Sequence, residues 1–129
     1  MHAVTWKDEP DEHDFPAASA YLSLLLSAEE TAAVIESLRS SGILQQKAKD
    51  ILRASRLPLL MSDNPHVAAD LDKVKDDKPL SPVLLVRGDL RSDSRLQIAD
   101  GYHRVCASYH VDENTDIPCR LGFLDGAAR

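Results

Sequence analysis

The alternation of apolar and polar residues predicts two helices before the first glycine. Ser27, followed three residues later by Glu30, fits a capping box, in which both side chains satisfy free backbone N–H groups at a helix start. A helix is therefore predicted over residues 28–40, ending before Gly42. A shorter helix is predicted just upstream, in "AASAYLSLLL". The apolar positions expected to share one face of the longer helix are Ala32, Val34, Ile35 and Leu38.

Helical spacing continues in the next two segments. The stretch "LQQKAKDILRASRL" is predicted to be helical as far as Pro58, which cannot continue a helix. Another helix is predicted to begin around Asn64 and Pro65. The apolar residues expected to pack are Leu44, Ala48, Ile51 and Leu52 in the first segment and Val67, Leu71 and Val74 in the second.

The pattern changes from helix to strand in the second half of the chain. Four consecutive apolar residues, 83–86, predict a strand that is buried on both faces. "RLQIAD" predicts a second strand, "GYHRVCASYHV" a helix, and "TDIPCRLGFL" a short strand with Pro118 at an edge or first position. These elements predict an α+β fold, followed by a loose C-terminal "DGAAR".

Composition favours one globular domain with an acidic extension. The 129 residues are 43% hydrophobic and 28% charged, which is ordinary for a protein with a packed core. Residues 1–14 carry five acidic residues against Lys7 alone, so they are predicted to form a flexible, solvated tail before a single domain at 15–129. The net charge of −6 disfavours stand-alone DNA binding, because the phosphate backbone repels acidic surfaces.

Cysteine usage and hydropathy predict a cytoplasmic protein. Cys106 and Cys119 do not form a CxxC pair, and both are expected to be reduced. No apolar stretch approaches the roughly 20 residues that span a bilayer, and the N-terminus lacks the pattern of a signal peptide. We therefore expect no membrane partner.

The stretch "IADGYHR" is the strongest candidate for chemistry. Gly101 follows a predicted strand and precedes a predicted helix, where the lack of a Cβ permits a tight turn or a close ligand. The first amides of that helix lack intrahelical acceptors, so they favour an anion. Arg104 and His103 can add donors and positive charge, which together predict a phosphate site.

Other roles for the same residues remain open. Asp100 can cap the helix, bind a metal ion, accept a proton or hydrogen-bond a substrate, and His103 can be a satisfied interior residue. A zinc site on His103, Cys106 and His110 is not expected, because seven helical residues span about 10.5 Å.

The order of elements and motifs resembles the ParB/sulfiredoxin superfamily. The resemblance covers about residues 44–122 and rests on the combination of "LSPVLLV", "ADGYHR" and "IPCRL". It implies a small mixed sheet flanked by helices, to which this chain adds an N-terminal helical segment. It also implies a pocket for a nucleoside triphosphate, ATP or CTP, with Mg²⁺.

The resemblance assigns roles residue by residue. Asp100 would hold the metal ion, and Asp100 and His103 are the candidate catalytic groups. Lys73 can equally belong to a solvated charged helix face. The residues implied to bind the nucleotide are Gly101, Tyr102, His103, Arg104, His66 and Lys73.

Two departures from the family pattern leave two functional hypotheses. Tyr102 stands where sulfiredoxins carry the catalytic cysteine, so their thiol chemistry is not expected. A ParB-type DNA-binding region is not expected after "IPCRL". The first hypothesis is a nucleotide-dependent hydrolase or phosphotransferase. The alternative is a non-enzymatic interaction or regulatory module, forming a homodimer or contacting a protein partner through the acidic tail or the segment 57–61.

Overall fold

The computed structural model describes residues 3–124, which form five α-helices, four strands and a short 3-10 turn at Leu90–Ser92. The elements in chain order are α1 (Asp14–Leu22), α2 (Ala28–Ser40), β1 (Leu44–Lys47), α3 (Ala48–Ser55), α4 (Pro65–Lys75), β2 (Val83–Val86), β3 (Gln97–Asp100), α5 (Tyr102–Val111) and β4 (Asp116–Gly122). The predicted C-terminal "DGAAR", residues 125–129, lies outside the described residues.

The four strands form one mixed sheet in the order β1-β4-β2-β3. β4 pairs antiparallel with β1 and parallel with β2, whereas β2 and β3 are antiparallel. The prediction of an α+β fold with a small mixed sheet and flanking helices is confirmed. Among the helices of residues 3–124, none has the length and apolar character that a bilayer crossing requires.

Helices cover both faces of the sheet, and the strand β2 divides the core between them. Its alternate side chains point to opposite faces. Leu84 and Val86 pack with α1 and α2, whereas Val83 and Leu85 pack with α3, α4 and α5. All four are buried, which confirms the prediction from the apolar run.

The local capping signals formed as predicted. Ser27 accepts from the Glu30 N–H at 3.1 Å, and the Glu30 carboxylate accepts from the Ser27 N–H at 3.0 Å. Asn64 caps α4 by accepting from His66 and Val67. The buried face of α2 is shifted from the expected one, since Ala32 is exposed and the neighbouring Thr31 is buried.

The helix predicted from residue 44 is wrong for its first four residues. Leu44–Lys47 is strand β1, and α3 begins only at Ala48. Leu44, expected to pack, is 45% exposed. β1 lies at the edge of the sheet and finds its partner, β4, about seventy positions further along the chain, so local spacing carries no sign of this pairing.

Pro118 lies within a central strand, which corrects its predicted place at an edge or first position. β4 has a partner on each side, and Pro118 is opposite Gln45 of β1. The ladder with β2 begins one residue later, at Cys119. The missing proline N–H therefore falls just before that ladder.

Residues 5–14, which the charge pattern assigns to a solvated tail, are bound to the rest of the chain. Leu80 exchanges backbone hydrogen bonds with Thr5 and Lys7, and Trp6 packs against the core. Glu9 forms an ion pair with Arg120. Acidic side chains of this segment thus form ion pairs and hydrogen bonds with the rest of the domain and do not all face solvent.

Trp6→Ala tests this attachment. Loss of the half-buried indole is expected to lower the free energy of unfolding by about 2 kcal/mol. Urea titrations followed by circular dichroism measure the difference, with Trp6→Phe as the control that keeps most of the packing. A change below about 0.5 kcal/mol, typical of an exposed position, would show that this segment does not contribute to the core.

Candidate functional site

The turn between β3 and α5 requires a glycine. Gly101 has φ +112°, in the left-handed region that L side chains rarely adopt. A Cβ at this position would lie 2.5 Å from Cγ1 of Val83 and 2.9 Å from a nitrogen of Arg104. The glycine therefore allows α5 to start directly against β2.

The first turn of α5 keeps its backbone donors free. The first backbone bond of the helix runs from the Val105 N–H to the Gly101 carbonyl, and no side chain caps the terminus. In the described part of the chain, no acceptor is found for the N–H groups of Tyr102, His103 and Arg104. Asp100 is not a cap, so that alternative for its role is wrong.

Asp100 instead forms an ion pair with Arg104, and the same guanidinium reaches a second carboxylate. The Arg104 guanidinium lies 2.6 Å from Oδ2 of Asp100 and 3.3 Å from Oδ2 of Asp14. The Ser81 hydroxyl donates to the same Asp14 oxygen at 2.5 Å, and it accepts from the Asp11 N–H. One largely buried arginine side chain thus joins β3, α5 and the start of α1.

Burial and the neighbouring charge shift the titration of Asp100. Its pKa is raised, first by burial and then by the negative charge of Asp14, while Arg104 acts in the opposite direction. Two carboxylates share one guanidinium in this network, so a proton or a cation at Asp100 relieves their repulsion. Asp100 therefore holds a proton more tightly than an exposed aspartate does.

A cavity of about 490 Å³ opens at this corner. Five of the predicted nucleotide-site residues line it together with Asp100: Gly101, His103, Arg104, His66 and Lys73. The predicted residues, which lie at two places in the chain, 66–73 and 100–104, are therefore brought together. Its walls come from the start of α5, the exposed side of α4, and the segment from Lys7 to α1.

Tyr102 is the predicted site residue that the structure separates from the cavity lining. Its hydroxyl donates to the Pro58 carbonyl at 2.5 Å, and burial raises the pKa of its phenol. Tyr102 holds the segment after α3 against α5. The neighbouring Leu57, Leu59 and Leu60 pack on the core, so most of the proposed partner-binding segment 57–61 is already used internally.

Two histidines from different helices meet at the cavity. The ring centroids of His66 and His103 are 4.7 Å apart. Burial, followed by the charge of His66, lowers the pKa of His103, and the charge of Asp70 partly opposes this. His103 therefore loses its proton more readily than an exposed histidine, and a bound anion would favour its protonated form.

The N-terminal segment supplies cavity residues that sequence analysis missed. Lys7, Asp11, His13 and Asp14 all line the cavity, although the charge pattern placed them in a tail. The side-chain ligand atoms of Asp11, His13 and Asp14 lie within 4.8 Å of one another, the kind of set that can hold a metal ion. The sequence signal for Asp14 is its position at a helix start, two residues before Pro16, but the acidic composition of residues 1–14 favours a tail.

The cysteines are not part of the site. Cys106 and Cys119 are free and buried, and burial raises the pKa of Cys119 to about 11. His110 contacts the Leu60 carbonyl through Nε2 at 2.7 Å. His110 thus contacts the segment after α3 and not the cavity.

Comparison of the chain with protein-family models, with curated proteins and with solved structures finds no significant match. The ParB/sulfiredoxin resemblance therefore stays a prediction, and the site is interpreted from its own geometry.

Asp70→Asn tests the electrostatics of the cavity wall. Burial raises the pKa of Asp70, so folding disfavours its charged form. The resulting destabilisation is complete at pH values above the folded-state pKa of Asp70. It disappears as the pH falls below the unfolded-state pKa. We expect Asp70→Asn to raise Tm by roughly 1–4 °C near neutral pH, and the gain to shrink in acid.

Scanning calorimetry across pH measures this difference, with Asp72→Asn as the control at an exposed position of α4. A lower Tm for Asp70→Asn at neutral pH would show that the carboxylate stabilises the fold, contrary to the expected sign.

Proposed function

We propose that the cavity binds the phosphate groups of a nucleoside triphosphate, ATP or CTP, on a ParB/sulfiredoxin-like fold. The observation that carries this proposal is the free first turn of α5, whose N–H groups are beside a cavity that Lys73, His66 and His103 also line. Backbone donors at a helix start, together with cationic side chains, form an anion site. The motif "ADGYHR" supports the same family of functions.

In this proposal Arg104 positions Asp100 and does not itself bind phosphate, because its guanidinium is already paired. Asp14 and Asp100 already accept from it, and its side chain is 13% exposed. Arg104 keeps the carboxylate of Asp100 beside the helix start. Lys73, whose side chain is 55% exposed and lies 4.0 Å from Asp70, is the cation that is free to move to an anion.

The size and charge of the cavity suit a metal-bound nucleotide better than a bare anion. Small-molecule sites commonly enclose about 300–1,000 Å³, and this cavity measures about 490 Å³. The cavity is lined by four aspartates, by three basic residues (two lysines and one arginine) and by three histidines. With neutral histidines the lining carries a net charge of −1, so a divalent cation would offset repulsion between a polyphosphate and the carboxylates.

The donor chemistry of the site fits Mg²⁺, which takes carboxylate oxygens. Asp100 would hold the ion, since its contact with Arg104 uses only Oδ2. When bound, Mg²⁺ would neutralise phosphate charge. The residues of the chain would orient the phosphates through the α5 amides and Lys73, and His103 would exchange a proton with the bound substrate.

Nucleotide binding is tested by thermal unfolding with ATP, CTP or GTP in the presence of Mg²⁺. At 100 times its dissociation constant, a ligand that binds only the folded protein adds about 2.7 kcal/mol to the free energy of unfolding. We expect ATP or CTP to raise Tm. Lys73→Ala should weaken the affinity about tenfold, as expected for a lost charged hydrogen bond.

Lys75→Ala is the matched control, because Lys75 lies on the same helix but does not line the cavity. Its affinity for the nucleotide should equal that of the wild type. The proposal fails if every nucleotide leaves Tm unchanged, or if Lys73→Ala and Lys75→Ala bind alike.

A second candidate function is a regulatory or interaction module without catalysis. The pairing of Arg104 with two carboxylates favours it, because no free guanidinium then faces the ligand. The two functions differ in turnover. For an enzyme, we expect slow Mg²⁺-dependent nucleotide hydrolysis or phosphoryl transfer.

Asp100→Asn should reduce that turnover at least about tenfold, since an amide neither accepts a proton nor binds Mg²⁺ as a carboxylate does. Phosphate release measures the rate, and calorimetric titration establishes that the variant still binds nucleotide. Unchanged turnover in Asp100→Asn would remove this residue from the chemistry, and binding without turnover in the wild type would identify the module.

A further inference from the structure

A second candidate site lies around the loop between β2 and β3. It is separate from the cavity at the start of α5, which is called the phosphate cavity below. Two hollows, of about 640 and 370 Å³, flank this loop. Both are lined by Arg56, Arg87, Gly88, Asp89, Ser94 and Arg95. We call the two hollows together with their rims the loop face.

Arginine is concentrated on the loop face. Five of the nine arginines of the chain are here and exposed: Arg53, Arg56, Arg87, Arg91 and Arg95. The acidic residues among them are Asp50, Asp89 and Asp93, which gives a local net charge of +2 in a chain of net charge −6. This region is therefore the electrostatic opposite of the molecule as a whole.

Three of these arginines keep their charged groups available. Arg53 pairs with Asp50, and Arg56 pairs with Asp93 at 2.6 Å. Among the described residues, no ion pair or hydrogen bond is found for the guanidinium groups of Arg87, Arg91 and Arg95. Their guanidinium groups are free to bind carboxylates bidentately.

Exposed leucines border the same hollows. Leu25 lines the larger hollow and is 55% exposed, and Leu90 lines the smaller one and is 95% exposed. Leu24, next to Leu25, is 81% exposed. The loop face thus combines apolar contact area with free arginine, the residue type enriched at the centres of protein interfaces.

We propose that the loop face docks an acidic peptide segment of a partner protein, with apolar side chains of that segment packed against Leu25 in one hollow and Leu90 in the other. Charge complementarity selects this occupant, because carboxylates match Arg87, Arg91 and Arg95. The hollows accept protruding side chains on both sides of the loop. This proposal is independent of nucleotide binding at the phosphate cavity.

The lining favours a peptide over the other anionic partners. Within residues 3–124, no aromatic side chain lines either hollow, so single-stranded nucleic acid would lack a stacking surface there. A bilayer is a broad surface that does not enter hollows, and the exposed carboxylate of Asp93 would meet its anionic headgroups. In a peptide segment, carboxylates would pair with the arginines of the loop face, and apolar side chains would pack against its exposed leucines.

The test begins with a phage-displayed library of random dodecapeptides selected on the full-length protein. We expect the enriched peptides to carry an excess of Asp and Glu together with Leu, Ile or Phe. Enriched peptides are then synthesised with a fluorescein label, and their affinities are measured by fluorescence anisotropy.

Paired variants locate the binding site. Arg87→Glu combined with Arg95→Glu should weaken the peptide at least about tenfold, as for interface arginines that matter. Lys75→Glu combined with Lys78→Glu makes the same change in net charge on exposed residues outside both hollows and should leave the affinity unchanged. Leu90→Ser, at a position too exposed to support the fold, should also weaken the peptide.

Three results would overturn the proposal. One is enrichment of peptides without acidic residues, or no enrichment. Another is equal weakening by the arginine and lysine pairs, which would reflect net charge alone. The third is tight binding of labelled oligo-dT or phosphatidylserine vesicles that depends on Arg87 and Arg95 while the peptide does not, which would assign the face to nucleic acid or to a membrane.

Discussion

The ion pairs of Arg104 hold together four parts of the molecule that are distant in the sequence. The guanidinium belongs to α5, Asp100 ends β3, and Asp14 begins α1. Ser81, just before β2, completes the network through Asp14. A buried charge that loses its partner is strongly destabilising, commonly by about 3–5 kcal/mol. The network therefore constrains all four parts at once, and the position of the N-terminal segment follows from it.

The same network determines which charges line the cavity at the start of α5. By accepting from Arg104, the carboxylates of Asp14 and Asp100 remove its charge from the anion-binding role that the sequence assigned to it. The free α5 amides and Lys73 are left as the donors of this corner. The lining is consequently mixed in sign, which is why the ligand we propose carries a divalent cation together with its phosphates. The loop face differs in this respect, because three of its arginines are unpaired within residues 3–124.

The parts of the fold that could be predicted are those governed by neighbours in the chain. The Ser27 capping box and the four apolar residues of β2 depend on contacts within a few positions or on simple burial, and both formed as expected. β1 was mistaken for helix because its strand character arises from pairing with β4. At the site, Gly101 and His103 were found from the turn they occupy. Asp14 was missed because its role comes from Arg104, a residue ninety positions away.

The sheet order also bears on how the protein folds during synthesis. β4 is the last strand of the described chain, yet it lies between β1 and β2 and is hydrogen-bonded to both. Until β4 emerges from the ribosome, the edge strand β1 has no partner and one side of β2 is unpaired. Assembly of the native sheet must therefore wait for residues 116–122, and unpaired strand edges of this kind are where nascent chains are prone to associate.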